Sequence, residues 1–177
     1  ESAGGIIMDP STGQIIAMAT MPDFDPGGKQ ESLAHLANPI IERTYEMGST
    51  FKPLTMAAAL DAGVLKAGTT YNDAGFLTFP AGQAIRNYDL KGRGVVSMQE
   101  VLNQSLNTGA VFAMEKLGHN RFREYLLNYG LAEKTGIDLP NEVLGSMKNL
   151  NSTRDVEYAT AAFGQGVEIT LMQLARA

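Results

Sequence analysis

The chain contains no cysteine. That excludes disulfides and thiolate metal centres, and it is compatible with either the cytoplasm or the periplasm. Histidine is nearly as scarce: His35 and His119 lie in unrelated segments, which argues against a histidine-based triad or a zinc site. There is no run of basic residues and the net charge is −5, which argues against nucleic acid as a partner. No stretch approaches the roughly 20 apolar residues of a membrane span, and no signal-peptide pattern is visible. What remains is an ordinary globular composition, 44% hydrophobic and 19% charged over 177 residues, enough for one good core or two small subdomains. Glu1 runs almost straight into a strand-like segment, so we expect a piece of a longer protein.

Turn and cap signals divide the chain. Gly4 to Asp9 and Gln14 to Ala19 read as strands joined by the turn Pro10-Ser11-Thr12-Gly13, a β-hairpin. Both strands are apolar at most positions, which suggests a sheet covered on both faces. Met21 to Gly28 is rich in breakers, and Lys29 to Asn38 reads as irregular or weakly helical. A helix follows through Leu54 to Leu60 with Gly63 as its stop, then loop to about Asp73. Phe76 to Phe79 and Ala84 to Asn87 form a small hairpin around Pro80 to Gly82. Ser97-Met98-Gln99-Glu100 is a capping box opening a helix to about Gln104. Further helices run from Thr108, which reads as an N-cap, to Gly118, and from Arg121 to Tyr129. Ala132 to Thr153 is mostly loop, Arg154 to Ala162 helical and Phe163 to Gly166 a turn, and Thr170 caps a last helix. One strand pair followed by a mainly helical segment is an α+β pattern.

The chemistry concentrates in Tyr45-Glu46-Met47-Gly48-Ser49-Thr50-Phe51-Lys52-Pro53. A serine hydroxyl is a poor nucleophile at neutral pH until a base takes its proton. Residues i and i+3 share a helix face, so Lys52 can sit one turn from the Ser49 oxygen. Pro53 is tolerated only near the first turn, which puts Ser49 at or beside a helix N-terminus, where developing negative charge is favoured. Of the eight serines, only Ser49 has lysine three places on, and only Ser105 has asparagine two places on. Ser105-Leu106-Asn107 falls between two helices, where a turn presents both polar side chains to a cleft. Ser49 also fits a plain helix N-cap, and Ser105 and Asn107 also fit plain turn chemistry. Gln165 and its flanking glycines fit a substrate-adjacent position and a tight turn equally well. His35 and His119 read as surface residues, and the nine methionines as core filler.

These motifs resemble those of penicillin-binding proteins and serine β-lactamases. The longer strings are more specific: Gly5 to Ala19, Tyr45 to Pro53, Leu102 to Gly109, Thr135 to Pro140 and Phe163 to Gly166 resemble the transpeptidase domain of class B penicillin-binding proteins. The resemblance implies the α+β fold of that family. Residues 1–177 would be a partial domain, the first hairpin and the helical subdomain, ending before the later strands of a five-stranded antiparallel sheet. It also implies roles. Ser49 would attack the D-alanyl-D-alanine bond of a peptidoglycan stem peptide, and Lys52 would take its proton. Ser105 would pass a proton to the leaving D-alanine, and Asn107 would hold the donor amide. An amine of a neighbouring stem peptide would resolve the acyl-enzyme, and β-lactams would trap Ser49. No metal or cofactor is implied. Implied partners are stem peptides, β-lactams and, through the parent chain, other cell-wall synthesis proteins, at the periplasmic or extracytoplasmic face of a bacterial inner membrane.

Lys134-Thr135-Gly136 spells the family's third motif, but Ile137-Asp138-Leu139-Pro140 follows it, and a proline cannot join a central strand ladder. We expect a loop there and the true motif on a strand beyond Ala177. Missing strands would carry an oxyanion donor, whose loss alone costs about 10²–10³ in rate. We therefore expect residues 1–177 alone to be poorly stable and nearly inactive. A β-lactam sensor, a serine β-lactamase-like domain and a degenerate partner-binding module are the competing readings. The β-lactamase needs a base for its hydrolytic water, and no convincing glutamate motif supplies one. Intact Ser49, Lys52, Ser105 and Asn107 count against degeneracy.

Overall fold

The computed structural model describes residues 3–23, 25, 27, 36–80 and 82–177. Two compact units emerge: Glu1–Tyr45 with Tyr129–Ser146 and Ile169–Ala177, and Glu46–Asn128 with Met147–Glu168. The strands are β1 (Ala3–Met8), β2 (Ile15–Met21), β3 (Tyr45–Glu46), β4 (Thr70–Asp73), β5 (Phe76–Thr78), β6 (Ala84–Arg86), β7 (Gly94–Ser97) and β8 (Glu168–Ile169). The α-helices are α1 (Pro39–Glu42), α2 (Lys52–Asp61), α3 (Met98–Asn103), α4 (Asn107–Leu117), α5 (His119–Asn128), α6 (Asp155–Ala161) and α7 (Leu171–Arg176). Among the described residues no helix is long and apolar enough to cross a membrane.

In the first unit β1 and β2 form the expected hairpin, closed by Asp9 N–H donating to Gln14 O at 2.9 Å and Gly13 N–H to Asp9 O at 2.8 Å. A register shift sets Ile7 opposite Ala17 and Met8 opposite Ile15, so Ile16 is the extra residue of a bulge. Ile6, Met8, Ile15 and Met18 thereby face Ile40 and Ile41 of α1 and Leu171 and Met172 of α7. The other face is open: Ile7 is 59% and Ile16 66% exposed. The expectation of a sheet covered on both faces is corrected, because the described helices pack on one side alone. Two caps place those helices. Asn38 accepts from Ile40 N–H ahead of Pro39, and Thr170 and Gln173 form a reciprocal capping box. Helix α1 follows directly on the segment read as irregular, of which residues 29–35 lie outside the described residues, His35 among them.

The second unit is built on α2 and α4, with Met56, Ala59, Leu65, Tyr71, Met98, Val101, Leu106 and Ala113 forming a shared core. Gly109 of α4 packs its Cα directly against Val101 of α3, where any side chain would collide. The β5–β6 hairpin is as expected. The β4–β7 ribbon is not: the stretch before Asp73 read as loop, yet Thr70–Asp73 pairs antiparallel with Gly94–Ser97. Its alternation buries Tyr71 and Asp73, so only one inward position is apolar. Ser97 caps α3 by accepting from Glu100 N–H, but the box is not reciprocal, since Glu100 accepts from Asn103 and Gln104 side chains instead. His119, expected at the surface, is half-buried, its ring stacked on Tyr158 at 3.9 Å between centroids.

Candidate active site

Ser49 sits in a 3-10 turn, Gly48–Phe51, that runs straight into α2, with Pro53 in the first turn of that helix. Three features hold this turn. Phe51 is fully buried beneath it. Gly48 takes a left-handed backbone, φ 55°, and its N–H donates to Gly164 O at 3.2 Å. Gly164 lies so close to Gly48 that a Cβ would fall 2.5 Å from the Gly48 oxygen. The Phe163–Gly166 turn is therefore a brace for the Ser49 segment, and Gly166 N–H donating to Glu46 Oε1 at 2.7 Å ties down its other end.

Lys52 extends from α2 beneath Ser49 and is 2% exposed. Its Nζ donates to Ser49 Oγ at 3.0 Å, to Ser105 Oγ at 2.9 Å and to Ser105 O at 2.5 Å. An ammonium has three N–H groups, and all three are used. Burial pulls this group down from 10.5 to about 8, because charge is disfavoured away from water. The shift enlarges the share of Lys52 present as free amine near neutrality, and the lone pair of that amine can accept the Ser49 proton while its two hydrogens stay on Ser105.

Ser105 occupies the link between α3 and α4 with φ 54°, a left-handed conformation for a residue bearing a Cβ. Leu106, 1% exposed, plugs the core and throws Ser105 and Asn107 outward on either side. Asn107 Nδ2 donates to Arg86 O of β6 at 2.8 Å, which fixes the carboxamide with its nitrogen on the main chain. Thr108 is no N-cap; that position belongs to Leu106, and the buried Thr108 hydroxyl donates to Asp73 Oδ1 at 2.8 Å.

Ser49, Ser105 and Asn107 open on one cleft of about 450 Å³, shared with Gly48, Tyr88, Gln104, Phe163 and Gln165. Three of the four site residues read from the sequence line this cleft, and the fourth, Lys52, lies buried beneath it and bonded to both serines. Gln165 lies in the turn, as expected, and also lines the cleft. Tyr88 was missed: it is 99% exposed, and nothing in its local sequence marks it. Lys134-Thr135-Gly136 lies in irregular backbone, as expected, with Gly136 at φ 77°. Glu142 organises that loop by accepting from Thr135 N–H at 2.6 Å, Thr135 Oγ1 at 2.5 Å and Gly136 N–H at 3.2 Å. Burial works against ionisation of Glu142, but these hydrogen bonds outweigh it and hold the carboxyl below its usual range.

The chain is similar to proteins of known family. Stage V sporulation protein D of Bacillus subtilis is 38% identical over 95% of this chain and 26% of its own length. The probable peptidoglycan D,D-transpeptidase FtsI of Caulobacter vibrioides is 32% identical over 100% of this chain and 30% of its own. The chain thus spans less than a third of these relatives. A crystal structure of a peptidoglycan glycosyltransferase from Burkholderia ambifaria shares the fold, with TM-score 0.84 at 24% identity over 98% of this chain and 50% of that one. Residues 3–177 match the penicillin-binding protein transpeptidase domain, and the chain belongs to that family.

Proposed function

We propose that this chain carries the acylating centre of a serine-type peptidoglycan D,D-transpeptidase. The observation that carries the reading is the bridge from Lys52 Nζ to both Ser49 Oγ and Ser105 Oγ, at 3.0 and 2.9 Å. A buried amine with a lowered proton affinity is a general base suited to neutral pH.

Ser49 Oγ attacks the carbonyl between the two terminal D-alanines of a stem peptide and transfers its proton to Lys52. The tetrahedral intermediate collapses with cleavage of the C–N bond. The proton on Lys52 reaches the leaving amine through the Ser105 hydroxyl, and free D-alanine departs. Asn107 holds the donor amide, its carboxamide oxygen accepting a substrate N–H. The amine of a second stem peptide then attacks the Ser49 ester, forms the cross-link and returns the hydroxyl proton. A β-lactam enters the same first step, and because its leaving group stays attached, the ester persists.

This reading places the domain at the extracytoplasmic face of the membrane, where stem peptides are cross-linked, with stem peptides as substrates and β-lactams as inhibitors. Within the parent chain, residues 1–177 serve as part of the transpeptidase domain, and other cell-wall synthesis proteins are its neighbours. The test is turnover by the full-length protein of a D-alanyl-D-alanine stem peptide with an amine acceptor. Release of one D-alanine per cross-link, lost in Ser49→Ala, is expected. Acylation by a β-lactam without peptide turnover would make it a sensor, and rapid β-lactam hydrolysis would make it a β-lactamase.

A further inference from the structure

Asp73 is 2% exposed and accepts from four separate groups. Oδ1 accepts from Thr108 Oγ1 at 2.8 Å, Gly75 N–H at 2.9 Å and Asn87 Nδ2 at 3.1 Å. Oδ2 accepts from Asn87 Nδ2 at 2.9 Å and Arg93 N–H at 3.1 Å. Taking a carboxylate out of water is costly unless donors replace the lost hydration, and here they come from both ribbons and from α4. Asn87 in turn receives Thr108 N–H on its Oδ1 at 3.3 Å. Burial pushes the Tyr71 hydroxyl up to about 12, so it stays protonated, and it is hydrogen-bonded to Thr108 Oγ1 at 3.2 Å.

The geometry has a specific consequence for the cleft. Asn107 is fixed by one bond, from its Nδ2 to Arg86 O. The residue after each partner of that bond, Thr108 and Asn87, is held by the Asp73 carboxylate. The Asp73 carboxylate, together with the direct Thr108 N–H bond to Asn87 Oδ1, therefore holds the end of β6 against the start of α4, and with them the Arg86 carbonyl that fixes the Asn107 carboxamide.

We propose that Asp73 is the positioning residue of the donor-amide site, acting on Asn107 through Thr108 and Asn87 and touching no substrate itself. The proposal rests on the functional reading above. It predicts a selective defect: reagents bound through an amide are affected, and reagents that need only Ser49 and Lys52 are not. In Asp73→Asn the new NH₂ must face at least one of the donors now bound. Thr108→Val removes the hydroxyl bond from α4 to Asp73 at nearly constant volume while leaving the Thr108 N–H bond to Asn87, and Thr108→Ser keeps both.

The experiment uses the full-length protein and two probes, benzylpenicillin, which carries an amide side chain, and p-nitrophenyl acetate, which has none. Formation of the Ser49 ester is followed by intact mass, with Ser49→Ala subtracted as background. Asp73→Asn and Thr108→Val are expected to slow penicillin acylation about 10²-fold, as misplacement by about an ångström does, while acetylation and the Thr108→Ser variant stay unchanged. Adding Asn107→Ala to Asp73→Asn is expected to cost nothing further, since both remove the same contact. An equal loss with both probes, or losses that multiply in the double variant, would overturn the proposal. Should Asp73→Asn fail to fold, Thr108→Val decides the matter alone. If the unaltered protein forms no Ser49 ester with either probe, the functional reading falls and this proposal with it.

Discussion

Lys52 and Ser105 stand 53 residues apart in sequence and 2.9 Å apart at Nζ and Oγ. The contact is possible because Leu106 anchors the α3–α4 link in the same core that α2 packs against. It puts the amine between two hydroxyls, so one group can take a proton from Ser49 and hand it to Ser105.

A pH profile follows. In the proposed mechanism the free amine is the base, and burial pulls Lys52 down to about 8. Below that value acylation of Ser49 should rise about tenfold per pH unit, and above it the rate should level off. A solvated lysine would put the bend near 10.4. Rates of acylation by a penicillin between pH 6 and 10 decide between the two.

Gly164 is expected to be intolerant of any side chain. In Gly164→Ala the Cβ would lie 2.5 Å from Gly48 O and 2.8 Å from Phe51 Cβ, on a backbone at φ 78°. Left-handed strain and overpacking together give a destabilisation of roughly 2 kcal/mol or more, with slower acylation. Gly63→Ala is the control: φ is 69° but the space around it is empty, so only the strain term applies and acylation is unaffected. Equal behaviour of the two variants in thermal melts and acylation rates would remove the brace.

Tyr88 projects from a stapled turn, flanked by buried Asn87 and by Asp89, which pairs with Arg93 at 2.7 Å. Tyr88 lines the same cleft as Ser49, so we predict that it contacts a bound ligand. Tyr88→Ala should leave stability within about 0.5 kcal/mol. It should also weaken saturation by a β-lactam with an aromatic side chain roughly two- to tenfold, the worth of one aromatic contact. Unchanged saturation would exclude Tyr88 from the site.

Lys134→Ala should leave acylation untouched, because its motif is loop and its organiser is Glu142. A tenfold slower acylation would return Lys134-Thr135-Gly136 to the active site.

The parts legible in sequence are those fixed by local chemistry. Pro53 places the start of α2, Thr170 and Gln173 announce α7, and Pro10 to Gly13 turn the first hairpin. The approach of Lys52 to Ser49 is legible because an i, i+3 spacing puts both on one helix face, and Ser105 and Asn107 are legible as a polar pair between two helices. Strand β4 was not, since its buried inward residue Asp73 is polar and its partner lies more than twenty residues on. For the same reason Thr108 passed as a cap: its true partner, Asp73, is 35 residues upstream. The stacking of His119 on Tyr158 and the seating of Gly164 on Gly48 are likewise long-range contacts with no local pattern.

The most direct measurement is the intact mass of the full-length protein after incubation with a penicillin, with the adduct mapped by peptide fragmentation. One adduct per chain, located on Ser49 and absent in Ser49→Ala, is the predicted result. An adduct elsewhere, or none, would contradict the assignment of Ser49 as the acylating nucleophile.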